Sequence, residues 1–322
     1  MKTFKTKKDK PSVKPPKGSP QKKSNEKNLG LTPDSRPKAA FNWFPGHMLK
    51  AMREVKNRLK VVDLVVEVRD ARVPLVSGNR SMTESIGQKS RLILLNKVNL
   101  ADPEMIKKWE AWFEKQGEPY LFVDCFDKAA LKKLISMAKK VVEEKRLQSN
   151  PDDDPKKEKL RLMIVGLPNT GKSTIINQLS GKSIAKTADK PGQTTVQQWI
   201  KVDDEVDLLD TPGIMPPQID KEEHGLWLSA IHAIPDHITS EEDTACYLVN
   251  YFFKRKSPEF FERYKLDGTE PGLNEILEKI GKNRGFIKQK GEVDYERVFR
   301  TVILDFRRDE LGKSCFGEPR LV

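Results

Sequence analysis

One loop, and its place in the order of motifs, constrains the fold of this chain more than anything else in it. Gly166-Leu167-Pro168-Asn169-Thr170-Gly171-Lys172-Ser173 fits the phosphate-loop pattern G-x-x-x-x-G-K-[ST]. Asp210-Thr211-Pro212-Gly213 follows at the spacing of the loop that faces magnesium and the terminal phosphate in such domains. Asn96-Lys97-Val98-Asn99 has the form of a base-reading loop, usually Asn-Lys-x-Asp. That loop ordinarily lies downstream of the phosphate loop, but here it lies about 70 residues upstream. The order of parts is rotated, so the chain reads as a circularly permuted nucleotide-binding domain. Rotation has a mechanical result: the switch loop at Asp210 leads straight into whatever follows it.

Hydropathy supports an α/β reading. Apolar runs at 61–68, 91–95, 120–123 and 160–165 have the character of buried strands, and 195–202 and 206–209 read as two more. Helical spacing separates them at 47–60, 103–116 and 128–146. This alternation predicts a parallel-rich sheet covered on both faces, with the motifs at strand C-terminal ends, where open α/β sheets bind ligands. The polar stretch 148–159 reads as the joint between the original termini. From Lys221 the pattern is helical, at about 222–233, 241–254, 272–284 and 294–309. The expected organisation is a tail over 1–40, a circularly permuted P-loop GTPase domain over 41–220 and a small all-α domain over 221–322.

Charge is concentrated in the tail. Residues 1–40 hold eleven Lys and one Arg against Asp9, Glu26 and Asp34, a net +9 of the chain's +12. The segment is also rich in Pro and Ser and poor in large apolar side chains. Burial cannot repay its ordering entropy, so disorder is expected. A flexible cationic arm is drawn to polyanions, RNA above all, although a purely solubilising tail has the same composition. No apolar run approaches the ~20 residues that span a bilayer, and the Lys-rich N-terminus has no secretory pattern. Cys125, Cys246 and Cys315 are scattered without metal spacing. They suit a reducing cytoplasm and read as small buried residues.

Each motif carries its own chemistry. The glycines of the phosphate loop let the backbone wrap an anion, and the helix that begins near Gly171 adds its free N–H groups. Asn169, Thr170, Gly171, Lys172, Ser173 and Thr174 are the expected phosphate contacts, with Lys172 on the β- and γ-phosphates and Ser173 on Mg²⁺. Asp210 is expected to hold the metal through water, and Gly213 to bring its N–H to the γ-phosphate. Thr194 is the first choice for the switch threonine that completes the metal shell, with Thr195 the alternative. Asn96, Lys97 and Asn99 would meet the base, together with Asp124 and Cys125. Asn99 stands where an Asp would accept two charge-assisted bonds from guanine, so about 1–3 kcal/mol of base recognition is expected to be lost. Asp102 is too far along the loop to substitute, and Asp124-Cys125-Phe126 lacks the frequent Ser-Ala-Lys pattern.

Phe44-Pro45-Gly46-His47-Met48, Asp70-Ala71-Arg72-Val73-Pro74, the rotated loop order, and Pro191-Gly192-Gln193-Thr194-Thr195 with Gln197-Gln198-Trp199 together resemble the ribosome biogenesis GTPase A family, the YlqF-type permuted GTPases. The resemblance covers about residues 41–315. It implies a GTP/GDP switch, Mg²⁺, and a helical RNA-binding domain. It further implies action late in assembly of the large ribosomal subunit, with turnover stimulated by that particle. It also implies K⁺, for which Asn169 would supply an oxygen. Ile214 occupies the position where Ras-like enzymes carry a water-orienting Gln, and the resemblance points to His47 as the replacement. A role for His47 in capping or packing the helix that starts near Gly46 stands beside that reading.

The helical unit carries no catalytic motif. It does carry Lys279, Lys282, Arg284, Lys288 and Lys290, then Arg297, Arg300, Arg307, Arg308 and Lys313, which are expected to meet RNA phosphates. The leading reading is a cytoplasmic, monomeric GTPase that binds the large-subunit precursor and its rRNA, touches no membrane, and leaves on hydrolysis. The alternative is an RNA-binding assembly scaffold with a weakly hydrolysing or relaxed purine site.

Overall fold

The computed structural model describes residues 41–42, 46–149, 159–182, 198–216, 218–235 and 238–319. The expected tail over 1–40, the switch residues Thr194 and Thr195, and most of the expected joint lie outside them. In chain order the elements are β1 (Phe41–Asn42), α1 (Gly46–Arg58), β2 (Leu64–Asp70), α2 (Arg80–Ile86), β3 (Ser90–Asn96), α3 (Pro103–Gln116), β4 (Tyr120–Phe122), α4 (Lys128–Ser149), β5 (Leu160–Gly166), α5 (Lys172–Ser180), β6 (Gln198–Lys201), β7 (Val206–Asp210) and β8 (Gln218–Ile219). The helices α6 (Glu222–Ala230), α7 (Glu241–Lys254), α8 (Pro258–Tyr264), α9 (Leu273–Asn283) and α10 (Tyr295–Arg307) follow.

The main sheet has the order β4-β3-β2-β5-β7-β6. All its pairings are parallel except β6 on β7. β2 is buried along its whole length, as a central strand with both faces covered must be. On one face Leu131, Leu134, Ala138 and Val142 of α4, with Ile175 and Ile176 of α5, pack on Leu64, Val66, Val68, Leu94 and Ile164. The other face takes Ala51 and Val55 of α1 and Met82 and Ile86 of α2. Met105, Ile106, Trp109 and Phe113 of α3 cover Ile93 and Leu95 on that side. Sequence dictates α3 closely: Asp102 caps it, Pro103 opens it, and Gly117 closes it in the left-handed region.

The helical part is not insulated from the sheet. Trp227, Leu248, Phe252, Phe260, Tyr264, Ile280, Val302 and Phe306 share one core with Val73, with Leu167 of the phosphate loop and with Met215 just past the switch loop. Asp305, buried in α10, accepts bonds from Arg263, from the Tyr264 hydroxyl at 3.1 Å and from Arg284 at 3.0 Å. Among the described elements, the two-residue strands β1 and β8 and two helices were not expected from the sequence. α2 and α8 are each seven residues, and each turns only two side chains inward, too few to give a period. No helix among the described residues is long and apolar enough to cross a membrane.

Candidate nucleotide site

The motifs converge at the C-terminal ends of β2, β3, β5 and β7. Asn96 joins three of the loops. Its Nδ2 donates to the Thr170 carbonyl at 2.9 Å, and its Oδ1 accepts from the Cys125 N–H at 3.1 Å. Gly171 has φ 98°, and a Cβ there would lie 2.1 Å from Asn96 Nδ2, so only glycine lets the asparagine cross. Lys97 sits in the left-handed region at φ 64°. It donates to the Asn169 carbonyl at 2.7 Å and lies 3.0 Å from Asp70 Oδ2. Rotated order in sequence becomes contiguity in space.

The phosphate side is built from buried charge. Lys172 donates to the Leu167 carbonyl of its own loop at 2.6 Å. Burial pulls its pKa down to about 8 against the pull of Asp210. Burial likewise pushes Asp210 up to about 6, with Lys172 opposing. Asp210 Oδ1 is buried and has no hydrogen-bond partner among the described residues. A buried carboxylate oxygen without a protein donor fits a hydrated metal, and an ammonium folded onto its own loop fits a phosphate that would draw it out. Ser173 and Thr174 lie half-buried in the first turn of α5. Gly213 passes so close to the phosphate loop that a Cβ would come within 2.9 Å of the Pro168 nitrogen.

Ile214 is fully buried, in the core with Ala51 and Val55 of α1. Its carbonyl accepts from Asn79 Nδ2 at 2.9 Å. The position that holds a water-orienting glutamine in Ras-like enzymes here seats the helix whose first turn contains His47. The His47 side chain lies outside the described residues.

On the base side, Asn99 is exposed within a short 3₁₀ turn. Asp102 caps α3 through the Glu104 N–H at 2.9 Å and pairs with Arg255, so it is committed elsewhere. Asp124 accepts the Phe126 N–H at 3.0 Å, which fixes the loop and leaves the Phe126 ring 68% exposed beside Cys125. Cys125, Cys246 and Cys315 are all free and buried. Asn169 donates its amide nitrogen to the His232 carbonyl at 2.7 Å, which ties the phosphate loop to the helical part.

In the sequence Asp70 and Arg72 stand only as parts of a motif, with no role of their own. Asp70 is fully buried and accepts Arg72 Nε at 3.0 Å, Arg72 Nη2 at 2.9 Å and the Arg72 N–H at 3.0 Å. Burial alone would raise this carboxyl, but Arg72 and Lys97 hold it well below the usual carboxylate range. Arg72 in turn lies over the Phe306 ring of α10 at 5.0 Å. Asp70 ends β2 directly opposite Asn96 of β3, a pairing that its place in the sequence does not show.

Most cations of the helical part that were expected to meet RNA have an intramolecular partner, several of them at the surface. Arg284 pairs with Asp305, Lys279 with Asp267 and Glu270, Arg300 with Glu241, and Lys313 with Asp309. Lys282 pairs with Glu278, and Lys288 approaches Asp294 at 3.8 Å. Arg307 donates to the Ser229 and Ala230 carbonyls at the end of α6, and Arg297 lies over Phe286 at 4.4 Å. Lys290 and Arg308 are exposed.

Comparison with known proteins agrees with this geometry. A family model described as "50S ribosome-binding GTPase" matches residues 161–286. The ribosome biogenesis GTPase A of Priestia megaterium is 40% identical over 279 residues, covering 87% of this chain and 97% of that one. The Thermotoga maritima protein of the same name is 34% identical over 281 residues, covering 87% and 95%. A mitochondrial ribosome-associated GTPase 1 from Xenopus tropicalis is 32% identical over 293 residues, covering 84% and 92%. The solved structure of GNP-bound YlqF from T. maritima is similar at a TM-score of 0.57, with 30% identity over 85% of this chain and all of that one.

Proposed function

The chain belongs to the ribosome biogenesis GTPase A family and hydrolyses GTP, and from that premise we propose that it serves as an assembly factor for the large ribosomal subunit. In this reading it binds the precursor particle and its rRNA with GTP bound and leaves after hydrolysis. It does so in the cytoplasm, as a monomer. The observation that carries the reading is the common core of Leu167, Met215 and the helical part. A loop that responds to the γ-phosphate cannot shift without disturbing helices packed on the same side chains.

Lys172 would exchange its Leu167 carbonyl for the β- and γ-phosphate oxygens. Asp210, Ser173 and Thr194 would hold Mg²⁺, which neutralises charge on those oxygens when bound. A potassium ion would take the side-chain oxygen of Asn169, the other end of the amide whose nitrogen faces His232. His47 would orient the attacking water, since Ile214 is spent on the core. The tail over 1–40 would supply RNA attraction, because so much of the helical part's positive charge is paired internally.

The test is GTP turnover and co-sedimentation with and without large ribosomal subunits, for the parent, Lys172→Ala and His47→Ala. The parent should be bound and stimulated by the particle. Lys172→Ala should lose productive binding. His47→Ala should lose ~10²-fold of the stimulated rate with nucleotide affinity kept. A parent that ignores the particle would overturn the assembly role, and parent-like turnover in Lys172→Ala would overturn the site.

A further inference from the structure

The guanine loop is gripped from both sides. On one side stands the buried Asp70, which holds Lys97 at 3.0 Å while Arg72 fills its remaining acceptor sites. The Ala71 N–H donates to the Asn96 carbonyl at 2.8 Å. On the other side residues 311–316 run along the loop as a strap. The Ser314 carbonyl accepts from the Asp102 N–H at 3.2 Å, and the Ser314 N–H donates to the Leu100 carbonyl at 3.3 Å. Arg255 of α7 reaches Asp102 as well.

The two sides meet. The Phe316 N–H donates to the Arg72 carbonyl at 2.7 Å, and Cys315 Sγ lies 3.6 Å from the Ala71 carbonyl. The Phe316 ring stacks on Trp227 and on Phe306, the same Phe306 that covers the Arg72 guanidinium. The chain of contact therefore runs from the base-reading lysine, through one buried carboxylate, to the centre of the helical part. Every link beyond the half-buried Lys97 is buried. Lys97 also holds the Asn169 carbonyl, so its ammonium joins the phosphate loop, the base loop and this clamp at once.

We propose that Asp70 is a positioning residue for base recognition, and that residues 311–316 form a strap whose order is thermodynamically coupled to guanine nucleotide through Asp70 and Lys97. A nucleotide held by Lys97 fixes the ammonium in one place. That fixes Asp70 and Arg72, and with them the carbonyl on which Phe316 docks. Coupling is reciprocal, so whatever grips the strap or α10 changes nucleotide affinity by the same factor. A partner that engages the helical part would thereby act on nucleotide exchange without touching the site.

The inference rests on the reading of residues 96–99 as the base loop, and hydrogen exchange of the whole protein tests it. In the parent, saturating GDP should slow exchange of the peptide carrying residues 311–316 about fivefold or more. In Asp70→Asn that slowing should vanish, while GDP still protects the peptide carrying Gly171, Lys172 and Ser173. The GDP Kd of this variant should rise about tenfold, the size of one lost charge-assisted bond, with KM rising far more than kcat falls. Phe316→Ala, which leaves Asp70 and the site in place, should weaken GDP binding several-fold. A parent that binds GDP with no change in strap exchange overturns the proposal, as does an Asp70→Asn variant with parental Kd and strap protection. A parent that binds no GDP at all would instead sink the base-loop reading.

Discussion

Ile214→Gln separates this site from the Ras-like design it departs from. If the position faced the phosphates, the change would install a water-orienting amide and raise turnover. Here the side chain is fully buried among Ala51, Val55, Val65, Met163 and Leu209. The substitution loses the burial of an Ile side chain, about 1.5–3 kcal/mol. It also buries an amide without partners, costing about 1–3 kcal/mol more. The expected loss is about 2.5–6 kcal/mol, which for a unit of this size lowers Tm by roughly 10 °C. The same change loosens the seat of α1, whose first turn contains His47, so GTP turnover should fall. Thermal unfolding and turnover on one preparation decide the matter, with Ile214→Val as a control costing about 1 kcal/mol. An unchanged Tm with faster hydrolysis would refute the packing account of Ile214 and the vacancy it implies for His47.

Asn99→Asp should tighten GDP and GTP about tenfold or more and weaken XTP, whose second carbonyl would face the new charge; unchanged guanine affinity would mean that another group reads the exocyclic amine. Mg²⁺·GTP binding should depend on pH with two limbs. Asp210 near pKa 6, raised from 3.8, makes the ligand-free fold lose stability as pH rises through about 4–6, and Lys172 near 8, lowered from 10.5, makes it regain stability above about 8. The ligand needs both groups charged, so affinity should rise from pH 5 to 7 and fall above 8; titrations giving a flat profile would contradict the burial of these two groups. Deleting residues 1–40 should leave basal hydrolysis unchanged while making RNA association weaker and less steep in salt, and an unchanged slope would leave the arm a solubiliser.

The architecture was readable because its strands announce themselves. The runs that end on Asn96 and on Gly166 are apolar, short and closed by motifs, and the structure has strands there, at Ser90–Asn96 and Leu160–Gly166. α3 and α7 carry their own caps, and their expected limits coincide with those observed. What escaped the sequence was non-local pairing. The cations of 279–313 have Asp305, Asp267 and Glu241 beside them, and nothing in their spacing predicts those partners. Asp70 is partly the same case: Arg72 stands two residues along in its own motif, but its second partner, Lys97, lies across a strand pairing. Ile214 was legible as an inability, since it cannot bond water; its use, seating α1, is a fact of packing.

The strand order β4-β3-β2-β5-β7-β6 also has a meaning for synthesis. β2, β3 and β4 are the first of the sheet to be made, and they can pair at once. Their open side is β2, the strand that ends up in the interior, and it must wait for β5 behind the whole of α4. For that interval Leu64, Val65, Val66 and Val68 stand on an unpaired edge, the kind of surface to which a foreign strand can add. Glu67 and Arg69 interrupt the run with charges. In the finished sheet Glu67 is neutralised out of sight by Arg69 and Arg91; on the nascent chain the same charges would oppose the addition of a foreign strand. The rotation that moved the base loop ahead of the phosphate loop thus also decides which of the two central strands, β2 rather than β5, must wait for a time as an edge.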